Sequence, residues 1–159
     1  KLRRRPLSLL VAEENLRASP VLKLAGALEA GRVREALRRL RRGEWVALFP
    51  EGEMRYPGPL GPLREGANWL ARKAGVPLLP VALRVVLRGY EHPEAFLWVG
   101  RPLPPGGDLG RALGGLLQAL DALLAKTHPR EVPEGFREVL RGRRSLEERV
   151  LPLVRLLRP

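Results

Sequence analysis

Apolar residues recur along this chain in two rhythms, short uninterrupted runs and spaced stripes, and the two alternate. Leu7–Ala12 is a short apolar run behind Pro6, long enough for a buried strand and too short for a persuasive helix. Ser19 and Pro20 read as an N-cap and first helical residue, opening a helix to about Ala25 that Gly26 ends. From Arg32 to Leu40 the apolar positions Val33, Ala36, Leu37 and Leu40 recur at helical spacing with arginines between them, and Gly43 stops the pattern. Trp45–Phe49 is a compact strand that Pro50 cuts off, because proline has no N–H to continue a ladder. A Pro/Gly-rich loop follows to Pro62.

The second half repeats the alternation. Arg64–Ala74 predicts a helix packing Ala67, Leu70 and Ala71, closed by Gly75, and Leu78–Leu87 predicts a second strong strand. Strand, helix, strand implies a right-handed crossover. Phe96–Val99 predicts another brief strand, and Asp108 caps a long Leu/Ala helix reaching Lys126. Two more short helices are expected after it, the last with Ser145 and Glu148 in capping-box spacing and Pro152 bending it. The expected fold class is α/β, a three-layer α/β/α arrangement around a mixed, mostly parallel sheet. Trp45, Trp69 and Trp98 sit within apolar periodic segments and are expected in the core or as pocket walls, Trp69 bordering an acyl channel if one exists.

Length and composition narrow this further. The chain of 159 residues fits one domain with one core. No stretch approaches the ~20 consecutive apolar residues of a membrane-spanning helix. Cysteine is absent, which excludes disulfides, thiolate metal sites and a cysteine nucleophile, and makes the cytoplasm the default compartment. Lys and Arg number 29 against 17 acidic residues, a net charge of +12, so the partners to expect are anions: phosphorylated or CoA-type ligands, an anionic membrane surface or nucleic acid. Isoleucine is absent and arginine greatly outnumbers lysine, a bias expected of a heat-adapted genome. The stretch Leu146–Leu157 mixes Leu and Val with arginines; docking on the sheet is the favoured reading, lying on an anionic membrane the alternative.

Chemistry concentrates at Phe49-Pro50-Glu51-Gly52, where a buried strand gives way to a loop, the place at which open α/β sheets bind ligands. Glu51 presents a carboxylate at the sheet edge, Gly52 lets a ligand approach the backbone, and Arg55 and Arg64 flank the loop with planar donors suited to phosphate. The alternative is a loop carboxylate pairing with Arg55 or Arg64. His92, in a Glu-His-Pro-Glu turn, reads as a surface residue and is given no role.

Phe49-Pro50-Glu51-Gly52, followed by Gly58, Arg64, Gly66, Leu70-Ala71 and the run Gly75 to Val81, resembles the third and fourth sequence blocks of the lysophosphatidic acid (1-acylglycerol-3-phosphate) acyltransferase family. Gly26, Ala27, Leu28 and Arg32 resemble a weakened second block. The resemblance runs from about Leu7 to Arg88 and implies a single acyltransferase-like domain over 1–159, with C-terminal helices over 108–159. It also implies the activity: O-acyl transfer from acyl-CoA or acyl carrier protein to the hydroxyl of a lysophospholipid, or of a related glycerolipid or glycolipid, in phospholipid biosynthesis. The family needs no metal or cofactor.

By the same resemblance the substrate-binding residues are Phe49, Pro50, Glu51, Gly52, Arg55, Arg64 and Arg32, the arginines holding an acceptor phosphate and Glu51 the glycerol portion. The family's first block, His-x-x-x-x-Asp, supplies its general base. Here His92 is followed five positions on by Leu97 and His128 by Pro133, so neither begins the block and no catalytic residue is assigned. The block is expected before Leu7, and a chain opening at Lys1 is expected to be a fragment that binds but scarcely turns over. The third block of relatives continues Thr-Arg after its glycine, whereas Glu53 and Met54 stand here and the arginine comes one place later, at Arg55. The expected location is cytoplasmic, peripheral at the inner face of the cell membrane. The alternative is a non-catalytic basic module binding anionic lipid or nucleic acid.

Overall fold

The computed structural model of the protein describes residues 5–24, 26–53, 58–89 and 91–142. In chain order the elements are β1 (Leu7–Val11), α1 (Glu13–Ala18), α2 (Val21–Leu24), β2 (Leu28–Glu29), α3 (Val33–Arg41), β3 (Trp45–Ala47), α4 (Gly66–Ala74), β4 (Val81–Val86), β5 (Glu94–Val99) and α5 (Leu109–Lys126). The class is α/β, as the alternating pattern predicts.

Parallel and antiparallel pairing are divided between two sheets. The first has the order β2-β1-β3, all parallel, with Leu10 opposite Leu28 and Ser8 opposite Val46. Parallel neighbours need crossover connections, which α1 and α2 provide between β1 and β2, and α3 between β2 and β3. The expected crossover from β3 through α4 into β4 does not end in the same sheet. Instead β4 pairs antiparallel with β5, from Val81 opposite Val99 to Val86 opposite Glu94.

The main core lies where α5 meets this hairpin. Leu109, Leu113, Leu117 and Leu120 recur at helical spacing on the buried stripe of α5. Leu117 and Leu120 close on Ala82 of β4 and Phe96 of β5, while Leu109 and Leu113 close on Ala67 of α4. Complete burial of one leucine such as Leu120 contributes roughly 1.5–3 kcal/mol. Asp108 caps α5, its Oδ1 accepting from the backbone N–H of Arg111 at 2.9 Å. Gly75 closes α4 in the left-handed conformation, φ 67°, with its N–H on the Ala71 carbonyl.

Several expectations are corrected. The short helix expected after Ser19 and Pro20 forms as α2, its first turn bonded to the Ser19 carbonyl, but Ser19 also ends α1, its N–H donating to the Asn15 carbonyl. The sequence pattern hides α1 because Glu13-Glu14-Asn15 carries no apolar stripe beyond the buried Leu16. Strand β2 is only two residues long, below what periodicity can register. No helix forms in residues 127–142, where Pro129, Pro133 and Gly135 interrupt; the chain there makes two turns, and Phe136 packs edge-on against Phe96 and Trp98. The expected terminal helix around Ser145–Glu148 lies outside the described residues. Trp45 (48% exposed) begins an edge strand, and Trp69 (39%) faces away from the Ala67, Leu70 and Ala71 stripe of α4, so neither is core.

Candidate functional site

Because β1, β2 and β3 are parallel, their C-terminal ends lie along one edge of the sheet, and the loop at 48–62 leaves from that edge. Among the described residues hydrogen bonds hold this loop at several points, beginning with a tight turn in which the Gly52 N–H donates to the Phe49 carbonyl at 3.1 Å. The backbone N–H of Arg64 donates to the Pro50 carbonyl at 2.8 Å, bringing the loop's far end back to its start. The backbone N–H of Gly61 donates to Oε1 of Glu51 at 2.8 Å. The Gly58 carbonyl accepts from Nη2 of Arg84 at 2.7 Å.

Glu51, Gly52 and Arg64 are therefore brought together. Gly52 has φ 72°, and a Cβ there would lie 2.4 Å from Nε of Arg64, so the arginine side chain lies directly across the glycine backbone. Among the described residues no acidic group pairs with the Arg64 guanidinium, which is exposed. Phe49 is also exposed and Pro50 half-buried. Arg55 lies outside the described residues.

Arg32 stands apart from this group. It follows β2, two strand positions from β3, which separates the strand ends by roughly 10 Å along the edge. It lines two clefts. One, of about 510 Å3, is bounded by residues 31–35 and Arg38; the other, of about 330 Å3, includes Arg17, Lys23 and Glu29. Neither of these two clefts is lined by Glu51 or Arg64.

Most neighbouring arginines are committed elsewhere. Glu35 on α3 gathers Arg38 at 2.6 Å, Arg39 at 3.2 Å and Arg42 at 3.9 Å. The hydrogen bond from Arg39, with the charges of Arg38 and Arg42, holds the Glu35 carboxyl below its usual range against a smaller opposing effect of burial. Arg39 also donates to the buried Ser8 hydroxyl, so it secures α3 to β1.

The pair that sequence reasoning missed is Arg84 with Asp121. Arg84 stands on the face of β4 that turns toward α5, in register with the buried Ala82, and its side chain is only 14% exposed. Its Nε meets Oδ1 of Asp121 at 2.6 Å and its Nη2 meets Oδ2 at 2.8 Å, a two-pronged contact across to α5. That contact holds Asp121 below the usual carboxylate range and raises Arg84, to which the Glu51 charge also contributes. A signal was present: an arginine at an inward position of Val-Ala-Leu-Arg-Val-Val must find a partner.

Comparison with known proteins adds four findings. Residues 11–84 match the family model described as Acyltransferase. A 1-acyl-sn-glycerol-3-phosphate acyltransferase of Pseudomonas aeruginosa is 32% identical over 98 residues, covering 55% of this chain and 37% of that protein. An N-acylphosphatidylethanolamine synthase of Arabidopsis thaliana is 36% identical over 84 residues, covering 50% of this chain and 28% of that protein. The crystal structure of the 1-acyl-sn-glycerophosphate (LPA) acyltransferase PlsC from Thermotoga maritima aligns with a TM-score of 0.48 and 22% identity, over 72% of this chain and 53% of that one. The chain thus spans about a third of the length of these two curated relatives. From the end of β1 through the loop at the sheet edge to Arg84 of β4, the chain matches the acyltransferase family.

Proposed function

We propose that this chain supplies the acceptor-binding part of an O-acyltransferase that moves a fatty acyl group from acyl-CoA or acyl carrier protein to the hydroxyl of a lysophospholipid or related glycerolipid. The observation that carries the reading is the grouping of Glu51, Gly52 and Arg64 at the C-terminal edge of a parallel sheet, with the Arg64 guanidinium open to solvent. A carboxylate beside an uncommitted guanidinium suits a ligand carrying both hydroxyls and a phosphate. The relatives named as 1-acylglycerol-3-phosphate acyltransferase and N-acylphosphatidylethanolamine synthase both belong to glycerolipid metabolism, which supports the same substrate class.

In the reaction the acceptor hydroxyl oxygen attacks the thioester carbonyl, its proton passes to a base, the new C–O ester bond forms and the C–S bond breaks to release the thiol. Arg64, with Arg55 and Arg32, binds the phosphate of the acceptor, and Glu51 orients its glycerol hydroxyl. Phe49 and Pro50 form the wall from which the loop departs. These residues provide positioning, which converts an encounter into a near-attack geometry. Proton removal requires the family's first-block histidine, a pattern that does not occur within these 159 residues.

The net charge of +12 supports a peripheral location against anionic lipid, at the inner face of the cell membrane. No helix among the described residues is long and apolar enough to cross a membrane. The test is thioester-dependent acylation of lysophosphatidate by the complete gene product, with saturable lysophosphatidate binding by this chain that duplex DNA does not displace. Absence of acylation on every lysophospholipid and glycolipid offered overturns the reading, and tight DNA binding indifferent to Glu51→Ala replaces it with a basic nucleic-acid module.

A further inference from the structure

We infer that Arg84 is a positioning residue for the acceptor site, acting through the loop at 58–62 that presents a hydrogen bond to Glu51; the inference rests on the acceptor-site reading above. The loop leaves β3 after Ala47 and returns at α4, and the Gly52–Phe49, Arg64–Pro50 and Gly61–Glu51 contacts that hold it are made within the loop itself. The contact at Gly58 is different. The Gly58 carbonyl is held by a guanidinium that belongs to β4 and is itself fixed by α5. Gly61, the donor to Glu51, lies three residues beyond Gly58. Where Gly58 is fixed, the Gly61 N–H is fixed within one short stretch of chain.

The geometry of Arg84 suits this task. Nε and Nη2 both face Asp121, and Nη2 serves Gly58 as well, so the fork cannot rotate away from the carbonyl without breaking the pair. Being largely buried, the guanidinium has little water to compete with these partners, which strengthens each contact and makes its loss costly. The nearby Glu51 charge further favours the arrangement. Arg84 reaches the acceptor through Glu51 and Gly61 and does not itself touch it, which is why it differs in kind from Arg64.

Arg88 provides an internal control on the same hairpin. Its side chain is similarly buried, stacks over Phe96 at 5.2 Å, and donates to the carbonyls of His128 and Glu131, just beyond the end of β4 and away from Gly58. Its loss damages the hairpin without reaching Gly58.

The experiment measures binding of 1-oleoyl lysophosphatidate, below its micelle concentration, to this chain and to Arg84→Gln, Arg84→Lys, Arg88→Gln and Arg64→Ala, by calorimetric titration. Hydrogen exchange of the Gly61 amide is followed in each. Arg84→Gln is expected to weaken binding about tenfold and to speed Gly61 exchange by a similar factor, as expected for loss of one charge-assisted contact. Arg84→Lys recovers part of both, and Arg88→Gln lowers the melting temperature without changing either. Equal loss of affinity in Arg84→Gln and Arg88→Gln overturns the inference, since general destabilisation then explains both. Unchanged affinity in Arg84→Gln beside abolished binding in Arg64→Ala overturns it too, leaving the acceptor site standing. Unchanged affinity in both Arg84→Gln and Arg64→Ala overturns the acceptor-site reading itself.

Discussion

The side chain of Arg64 lies across the bare backbone of Gly52, so closely that a methyl group there would come within 2.4 Å of Nε and 2.7 Å of Cδ. Gly52 also holds φ 72°, a conformation that costs an L-residue roughly 1–2 kcal/mol. Gly52→Ala therefore carries two penalties, backbone strain and displacement of the arginine. The expected outcome is a stability loss of about 1–2 kcal/mol in urea titration, with weakened lysophosphatidate binding. Gly52→Ala with native affinity would show that Arg64 does its work from another rotamer.

Gly115 makes the opposite prediction. It lies in the interior of α5, exposed, with no described residue within 4 Å of a Cβ built there and no positive φ. Nothing in the fold uses its freedom, so glycine contributes only unfolded-state entropy and poor helix propensity. Gly115→Ala is expected to raise stability by about 0.5–1 kcal/mol and to leave ligand affinity unchanged. A lower melting temperature would mean that this face of α5 meets a neighbour.

The Arg84–Asp121 pair gives a signed pH dependence. Asp121 is held below its ordinary value by the Arg84 hydrogen bonds, so it contributes stability fully present above the unfolded carboxylate pKa of 3.8. That contribution is lost as pH falls through the lower folded value. Arg84 is raised further by the same contact, so its part fades only in strong alkali. Asp121 is half-exposed, which screens the pair and keeps its share modest. Asp121→Asn should lower stability at pH 7 and flatten the acid limb of a melting-temperature profile between pH 5 and the acid limit; Glu35, lowered by Arg39, retains its own share of that limb. An unchanged acid limb in Asp121→Asn would assign acid sensitivity to Glu35 and its neighbours alone.

The legible parts of this molecule were those with local causes. Asp108 and Gly75 mark helix ends through their own chemistry, and both stand where the sequence places them. The stripe of Ala67, Leu70 and Ala71 is buried as its spacing requires. What escaped was set by partners distant in sequence. Nothing near Leu28 announces that two residues suffice for a strand, because its parallel partner Leu10 lies across a crossover. Arg84 looked like one more arginine in a chain with 29 Lys and Arg residues, until α5 brought Asp121 against it. The grouping of Glu51 with Arg64 was legible from loop length and Pro50, but the separation of Arg32 was not, because strand order decides it.

That separation sets the last prediction, which asks whether Arg32, Arg55 and Arg64 grip one phosphate. The ends of β2 and β3 lie roughly 10 Å apart, with β1 between them. To share one phosphate, the two long arginine side chains would have to reach toward each other over the end of β1, each giving the anion one fork. Charge-assisted contacts of this type contribute about 1.5–3 kcal/mol, so Arg32→Ala and Arg64→Ala should each weaken lysophosphatidate binding by roughly ten- to a hundredfold. A shared phosphate makes the two effects non-additive, because once one fork is gone the ligand shifts and the other contact weakens. The double variant should then fall short of the summed losses by at least about 0.5 kcal/mol. Arg55→Ala is expected to lie in the same range as the single variants, and Arg55→Lys to recover only part, since an ammonium cannot reproduce the planar fork. Full additivity of Arg32→Ala and Arg64→Ala would place the two arginines on different anions. A neutral Arg32→Ala beside a disabling Arg64→Ala would confine the phosphate to the β3 side of the edge. If all three alanine variants bind as the parent does, the acceptor carries no phosphate ester, and neutral glycolipid hydroxyls become the substrates to assay.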